Sequence, residues 1–361
     1  MTPRRPAASP GRQPLAGLAV SDERGAAGPA GRPARRPTAS RRRTVIDAPS
    51  AAPSTYVPSP PDEHRWIRQA LPDRLSLVRQ LGRGSSGAVF LAHDRVLQRW
   101  VAVKALLPDV GADAERREQF RREQLTNARL AHPNIVPVFD YGETRGVPWA
   151  VLRYVPGASL ADHIRADRLL PPEDVCRVLG DLADALAYAH RQRVVHRDIK
   201  PENVLLDRDT GRPMLTDFGI ARAVSLDAML ADEIRRERLV VRGTAHFMSP
   251  EQLAGQAELD GRSDLYALGV LGYALLSGTL PFDGATFVEI ANRHGAPPPP
   301  LAERAPHAPP ALVRAVTRCL AHRPEDRWPD GTALRDALRA GAAPPRRPSL
   351  LARVLRWRRG R

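Results

Sequence analysis

Lysine is almost missing from this 361-residue chain: of its 55 basic side chains only Lys104 and Lys200 are lysine, and the other 53 are arginine. Arginine replaces lysine freely on a solvated surface, but not where a compact ammonium must fit among phosphate oxygens without a planar fork. The two lysines therefore mark candidate chemistry. Cysteine is as scarce: Cys176 and Cys319 each stand alone in an apolar helical pattern with no CxxC partner. That spacing excludes a disulfide framework or a zinc site and predicts two buried free thiols in a reducing compartment. No apolar run reaches about eighteen residues, and the N-terminus has charge without an apolar signal core. Neither a spanning helix nor a secretory leader is read, and a cytoplasmic location is expected.

Large apolar residues are sparse in the first sixty or so positions, where Pro, Arg, Ala, Ser and Gly dominate. Such a segment cannot bury enough surface to offset its chain entropy, so a disordered head is expected. From Trp66 and Leu71 to about Leu338 apolar residues return at strand and helix spacing, which marks the folded body. The formal charge of +15 lies largely in the head and the last sixteen residues, with no nucleic-acid recognition motif beside it. No nucleic-acid partner is expected.

Lys104 closes the strand-like run Val101-Ala102-Val103-Lys104, about a dozen residues after Gly82-x-Gly84-x-x-Gly87-x-Val89. A glycine trio of this kind also marks dinucleotide folds, but there the last glycine opens a helix. Here the trio lies between two strand patterns, Leu75–Leu81 and Ala88–Ala92. A glycine-rich hairpin lets backbone amides approach phosphates, and Lys104 on a third strand reaches the same phosphates.

Lys200 lies in His196-Arg197-Asp198-Ile199-Lys200-Pro201-Glu202-Asn203, and Asp217-Phe218-Gly219 begins fourteen residues after Asn203. With these motifs in this order the sequence resembles a Hanks-type protein kinase, most similar to the bacterial Ser/Thr kinases, from about Leu75 to Leu338. The resemblance implies an α+β bilobal protein-kinase fold: a small antiparallel sheet with one key helix, then a mainly helical lobe, between disordered termini. The expected division is head 1–70, N-lobe 71–153, C-lobe 154–340 and basic tail 341–361. It also implies ATP with Mg²⁺, for which Mn²⁺ can substitute, and protein substrates phosphorylated on Ser or Thr, the chain itself among them.

By its place in the motif, Asp198 should accept or orient the proton of the substrate hydroxyl, while Asn203 and Asp217 should hold the metal. Lys200, two residues after the base, resembles the Ser/Thr-kinase lysine that meets the transferred phosphate. Lys104 needs a carboxylate, and the helical segment Asp113–Leu130 offers Glu115, Glu118 and Glu123. Glu123 is chosen because it lies ten residues before Pro133 of the His132–Val136 signature, with Glu118 as the alternative register. Adenine should fit against Val89, Ala102 and Leu205, with Leu152 as gatekeeper and the backbone of Arg153-Tyr154-Val155 as hinge. Arg153 stands where an acidic residue is usual. Asn127, four residues after Glu123, stands where an apolar residue is usual, and would loosen the helix unless hydrogen-bonded.

Gly243-Thr244 and Ser249-Pro250-Glu251 resemble the end of an activation segment, with Thr244 beside Asp198 and Lys200. Asp264 should bond the backbone of the His196–Asp198 motif, and Arg327 should pair with Glu251. Between Ile220 and Gly243 the one hydroxyl is Ser225, while Asp227, Asp232, Glu233 and Glu237 supply permanent charge. Constitutive activity that depends little on loop phosphorylation is expected from that composition, with one of these acids standing in for the phosphate. In the head, Thr44 after Arg41-Arg42-Arg43 has Asp47 three residues on, which suits a phosphothreonine docking site for a forkhead-associated domain. In the tail, Leu350, Leu351, Val354 and Leu355 share one helical face among arginines, a pattern suited to peripheral contact of residues 350–361 with an anionic membrane surface.

Two rivals are opposed by particular residues. A nucleotide-binding scaffold without catalysis does not need Lys104, Asp198, Asn203 and Asp217 all intact. A small-molecule phosphotransferase shares the Asp…Asn pair but typically lacks the Lys200 position and the Gly243–Glu251 segment.

Overall fold

The computed structural model describes residues 64–84, 86–164, 169–218, 244–284 and 287–341. It opens with a short helix α1 (Arg65–Arg68), followed by β1 (Leu75–Arg83), β2 (Gly87–Asp94) and β3 (Arg99–Leu106). Helices α2 (Pro108–Gly111) and α3 (Ala114–Asn127) precede β4 (Val138–Thr144) and β5 (Val147–Arg153). The five strands form one antiparallel sheet in the order β1-β2-β3-β5-β4.

Strand alternation divides β3 between two cores. Val101, Val103 and Ala105 join Leu75, Leu77, Phe90, Trp149 and Val151 on one face. Ala102 and Leu106 join Phe120, Val136, Leu152, Val155 and Met214 on the other. Lys104 shares the parity of Ala102, and the register sets Val89 opposite Lys104 and Leu152 opposite Ala102.

A head running to residue 70 is corrected here. Ile67 is fully buried, Ala70 is 1 % exposed, and His64 and Trp66 meet Phe90 edge-on at 5.1 and 6.1 Å. Burying Ile67 stabilises by about 2 kcal/mol, enough to hold a four-residue helix that could not persist alone. Its apolar residues form only two pairs, Trp66-Ile67 and Ala70-Leu71, among His64, Arg65 and Arg68, too short a pattern to show a helix.

The second lobe begins with β6 (Gly157–Ser159), continues through α4 (Pro172–Arg191), and pairs β6 with β7 (Val204–Asp207) and β7 with β8 (Pro213–Leu215). Gly157 lies at φ +155°, and a Cβ there would sit 1.9 Å from the Leu206 carbonyl oxygen, so glycine alone lets the inter-lobe segment lie on β7. Beyond residue 243 come α5 (Pro250–Leu253), α6 (Gly261–Ser277), α7 (Phe287–Arg293), α8 (Leu301–Arg304), α9 (Pro310–Cys319) and α10 (Gly331–Gly341). Helix α6 is buried on every side from Ser263 to Leu276, as expected of a helix apolar around its whole circumference.

The lobes are stitched together beside the motif that carries Asp217. Val136 N donates to Leu215 O and Leu215 N to Asn134 O, both at 2.8 Å. The chain leaving β8 toward Asp217 is thereby fixed to the segment that leads into β4.

Cys319 is buried, whereas Cys176 is only half-buried and donates its thiol to Leu338 O at 3.2 Å. The expectation of two buried thiols is corrected for Cys176, which sits where α4 meets the end of α10. Among the described residues no helix is long and apolar enough to cross a membrane.

Candidate active site

Lys104 projects from the inner face of β3 and bonds two carboxylates, Glu123 Oε1 at 3.1 Å and Asp217 Oδ1 at 2.8 Å. Glu123 is presented by α3, which starts where the Asp113 side chain accepts from Glu115 N at 2.8 Å and is anchored by buried Phe120. Glu118, the alternative register, faces outward and bonds Arg121 and Arg122 at 2.7 and 2.8 Å. Glu115 is exposed at the first turn.

One ammonium shared by two acids sets their protonation. Burial alone would depress Lys104, but Asp217 and then Glu123 outweigh it and hold the ammonium above its ordinary value. Burial likewise works against ionised Asp217, yet the Lys104 charge and hydrogen bond keep that carboxyl below the usual range. Glu123 is pushed up by burial, Lys104 opposing and Asp217 adding to the push. Asp217, with the shorter bond, holds the stronger claim on the lysine.

The second cluster forms on the loop between α4 and β7. Asp198 Oδ2 meets Lys200 Nζ at 3.0 Å and accepts from Asn203 Nδ2 at 3.0 Å, while the same Nδ2 donates to Asp198 O at 2.8 Å. Buried Asp264 on α6 holds the loop from behind, accepting from His196 N and Arg197 N at 2.8 Å each. His190 Nε2 lies 2.7 Å from the same carboxylate. Arg197 and Asp217 both adopt left-handed backbone, at φ +65° and +61°, conformations that cost a residue with a Cβ and persist only when surroundings fix them. Phe218 is buried with its ring 4.4 Å from that of His196, which joins the Asp217 motif to the Asp198 loop.

An apolar wall lies between these clusters and the sheet. Ala102, Leu152, Val155 and Met214 belong to one buried group against which Val89 and Leu205 pack. Met214 is absent from the sequence reading, although its apolar triplet Pro213-Met214-Leu215 just before Thr216-Asp217 offered a signal. Arg153 turns its guanidinium to buried Asp207 on β7, Nη2 to Oδ2 at 3.3 Å. That pairing accounts for a basic residue at the end of β5.

Of the glycines, Gly87 is demanded by the sheet, since a Cβ there would lie 2.7 Å from Ala105 O. Gly82 meets nothing within 4 Å and Gly84 only Gly87 O at 3.8 Å, so packing within the described protein does not require either. Glu251 and Arg327 form a buried bidentate pair at 2.7 and 2.8 Å. Gly219, Ser225, Asp227, Asp232, Glu233, Glu237, Gly243, the Thr244 side chain, Thr44 and residues 350–361 lie outside the described residues.

The protein kinase domain model matches residues 75–337. Serine/threonine-protein kinase PrkC of Bacillus subtilis (strain 168) is 36 % identical over 263 residues, 73 % of this chain and 39 % of that protein. Serine/threonine-protein kinase PknF of Mycobacterium tuberculosis (strain H37Rv) is 40 % identical over 260 residues, 70 % of this chain and 53 % of its own. Among solved structures, the Mycobacterium tuberculosis PknI kinase domain superposes with a TM-score of 0.58 at 33 % identity, covering 76 % of this chain and 98 % of that one. The chain thus spans about half or less of the length of these two curated relatives. It belongs to the protein kinase domain family and has the bilobal protein-kinase fold, with the bacterial Ser/Thr kinases among its relatives.

Proposed function

We propose that this chain is a protein serine/threonine kinase, transferring the γ-phosphoryl group of ATP to Ser and Thr hydroxyls of proteins and of itself. The observation that carries the reading is the Lys104 ammonium held between Glu123 and Asp217 at 3.1 and 2.8 Å. A lysine held at both sides is a fixed charge, and phosphoryl transfer asks for positioned charge more than for covalent chemistry.

Adenine lies between Val89 and Ala102 on one side and Leu205 and Met214 on the other, with its edge bonded by the backbone of Arg153 and Val155 and with Leu152 at the back. The amides around Gly82, Gly84 and Gly87 cradle the phosphates, and Lys104 orients them. Asp198 takes the proton of the substrate hydroxyl as its oxygen bonds the γ-phosphorus and the bond to the ADP oxygen breaks. Lys200, held 3.0 Å from Asp198, steadies the transferred group.

The donor set suits a hard divalent cation. Asn203 commits its Nδ2 to Asp198, which leaves its Oδ1 to a metal, and Asp217 is an ionised carboxylate beside it in the cleft. Among the described residues no three His, Cys, Asp or Glu side chains converge on one point, which fits a cation completed by phosphate and water oxygens. When bound, Mg²⁺, or Mn²⁺ in its place, neutralises charge on the phosphates.

The requirement for ATP puts the domain in the cytoplasm under this proposal. Thr44 autophosphorylation as a forkhead-associated docking site, and contact of residues 350–361 with an anionic membrane, are retained as proposals. Mass spectrometry finding Thr44 bare after incubation with ATP would end the first. Equal liposome flotation with and without residues 345–361 would end the second.

Incubating the chain with ATP, Mg²⁺ and a mixed protein acceptor tests the main reading. Phosphoserine and phosphothreonine are expected by mass spectrometry, on the acceptor and on the chain. Phosphotyrosine alone would overturn the substrate class.

A further inference from the structure

Gln252, on α5 directly after Glu251, is 7 % exposed. Its side-chain amide is used at both ends. Oε1 accepts from Ser249 N at 3.1 Å and from Ser249 Oγ at 3.2 Å, while Nε2 donates to Arg197 O at 3.1 Å. The assignment of oxygen and nitrogen is fixed by its partners, because a backbone N–H requires an acceptor and a carbonyl requires a donor.

The carbonyl that Gln252 reaches belongs to the peptide that enters Asp198. Arg197 holds a left-handed conformation at φ +65°, and both of its peptide groups are restrained. Its N–H goes to Asp264 Oδ1 at 2.8 Å, and its C=O receives Gln252 Nε2. The next N–H, of Asp198, donates to His196 Nδ1 at 3.2 Å. Without the Gln252 bond, the 197–198 peptide would keep only the 3.2 Å bond from Asp198 N to His196 Nδ1, a weaker restraint against rotation toward a less strained geometry that would carry the Asp198 carboxylate with it. Asp264 restrains only the N-terminal side of that rotation.

We infer that Gln252 is a positioning residue for Asp198, clamping the Arg197 carbonyl so that the strained turn presents the carboxylate to the substrate hydroxyl. It does not touch the reacting atoms; it acts through the Arg197 peptide. The same side chain closes the capping box of α5 with Ser249, so the end of the activation segment and the catalytic loop are joined through one amide. The inference rests on the kinase reading above.

Two variants separate positioning from folding. Gln252→Glu keeps oxygen acceptors for Ser249, and glutamate suits this capping-box position, but it has no N–H for the Arg197 carbonyl. Gln252→Met has similar length and no charge. Both are expected to lower kcat about tenfold or more, since sub-ångström misplacement of a catalytic group is costly. The KM for ATP should stay near the wild-type value in both, and both variants should still melt cooperatively. Wild-type kcat in either variant would overturn the inference. So would a loss in Gln252→Glu alone, which would be an effect of the new charge. A loss that tracks a collapse of melting temperature and ATP binding would show a purely structural role and would overturn it as well. Wild-type turnover in the same assay tests the kinase reading separately, and an inactive wild type would remove both.

Discussion

Lys104 is held by two carboxylates whose protonation it governs, and its removal has a sharper consequence than the loss of one charge. With Lys104→Met, Glu123 and Asp217 face each other, and Glu123, already pushed up by burial with Asp217 adding to it, takes up a proton. The fold is expected to survive, and the charge proposed to orient the phosphates is lost. Steady-state kinetics should show kcat reduced roughly a hundredfold or more, the scale seen when one preorganised electrostatic donor is lost, in a protein that still melts cooperatively. Turnover within roughly threefold of wild type would contradict the assigned role. Lys104, Asp198, Asn203 and Asp217 are legible in the sequence because each is pinned by short-range spacing and, for the lysines, by a background almost empty of that residue. Glu123 is legible through its ten-residue interval to Pro133. Gln252 is not, because what gives it meaning is contact across the chain: it meets a carbonyl 55 positions away, and no local pattern encodes that.

At the scale of the element, α3 is built against its own interior. Gln124 and Asn127 are 1 % and 4 % exposed, and neither Oε1 of Gln124 nor Oδ1 of Asn127 finds a hydrogen-bond partner. A buried acceptor without a donor costs about 1–3 kcal/mol, so the helix that brings Glu123 to Lys104 is held less firmly than its burial suggests. Asn127→Leu should remove one such acceptor and raise the melting temperature by a few degrees, at roughly 2–4 °C per kcal/mol for a domain of this size. Scanning calorimetry checks it, and a lowered melting temperature would mean that the amide is satisfied in solution. The sequence points to this position because polarity breaks the apolar row, but the missing partner is visible only once α3 is packed.

For the whole molecule, His294 of the C-lobe is one buried imidazole that makes stability acid-sensitive, beside His196, which burial also lowers. His294 is 4 % exposed, bonded through Nδ1 to Tyr266 Oη at 3.2 Å and packed on Phe282 at 4.3 Å, with Nε2 buried and unpaired. Burial first, then His322, Arg327 and His246 against an opposing Glu251, bring it down from 6.5 to about 4. A histidine depressed in the fold binds its proton more readily when unfolded, so its contribution to stability is complete above pH 6.5 and is lost as pH falls toward 4. The difference between 6.5 and about 4 corresponds to about 3 kcal/mol. Melting temperature measured from pH 7.5 to 4.5 should therefore fall less steeply in His294→Leu than in wild type; parallel slopes would remove His294 as the cause. The bilobal layout is legible from motif order, whereas α1 and the Arg153–Asp207 tie at the hinge are not, since each depends on which face of a strand its partner occupies.

Under the proposed reading, the two clusters, Lys104 with Glu123 and Asp217, and Asp198 with Lys200 and Asn203, together perform phosphoryl transfer. Single-turnover reaction of excess chain with γ-labelled ATP and a protein acceptor, wild type beside Asp198→Asn, tests it most directly. Label is expected on Ser and Thr in the wild type, with transfer slowed by orders of magnitude in a variant that still binds ATP and melts normally. A wild type that binds ATP without transferring label, or an Asp198→Asn protein that transfers it at the wild-type rate, would contradict it.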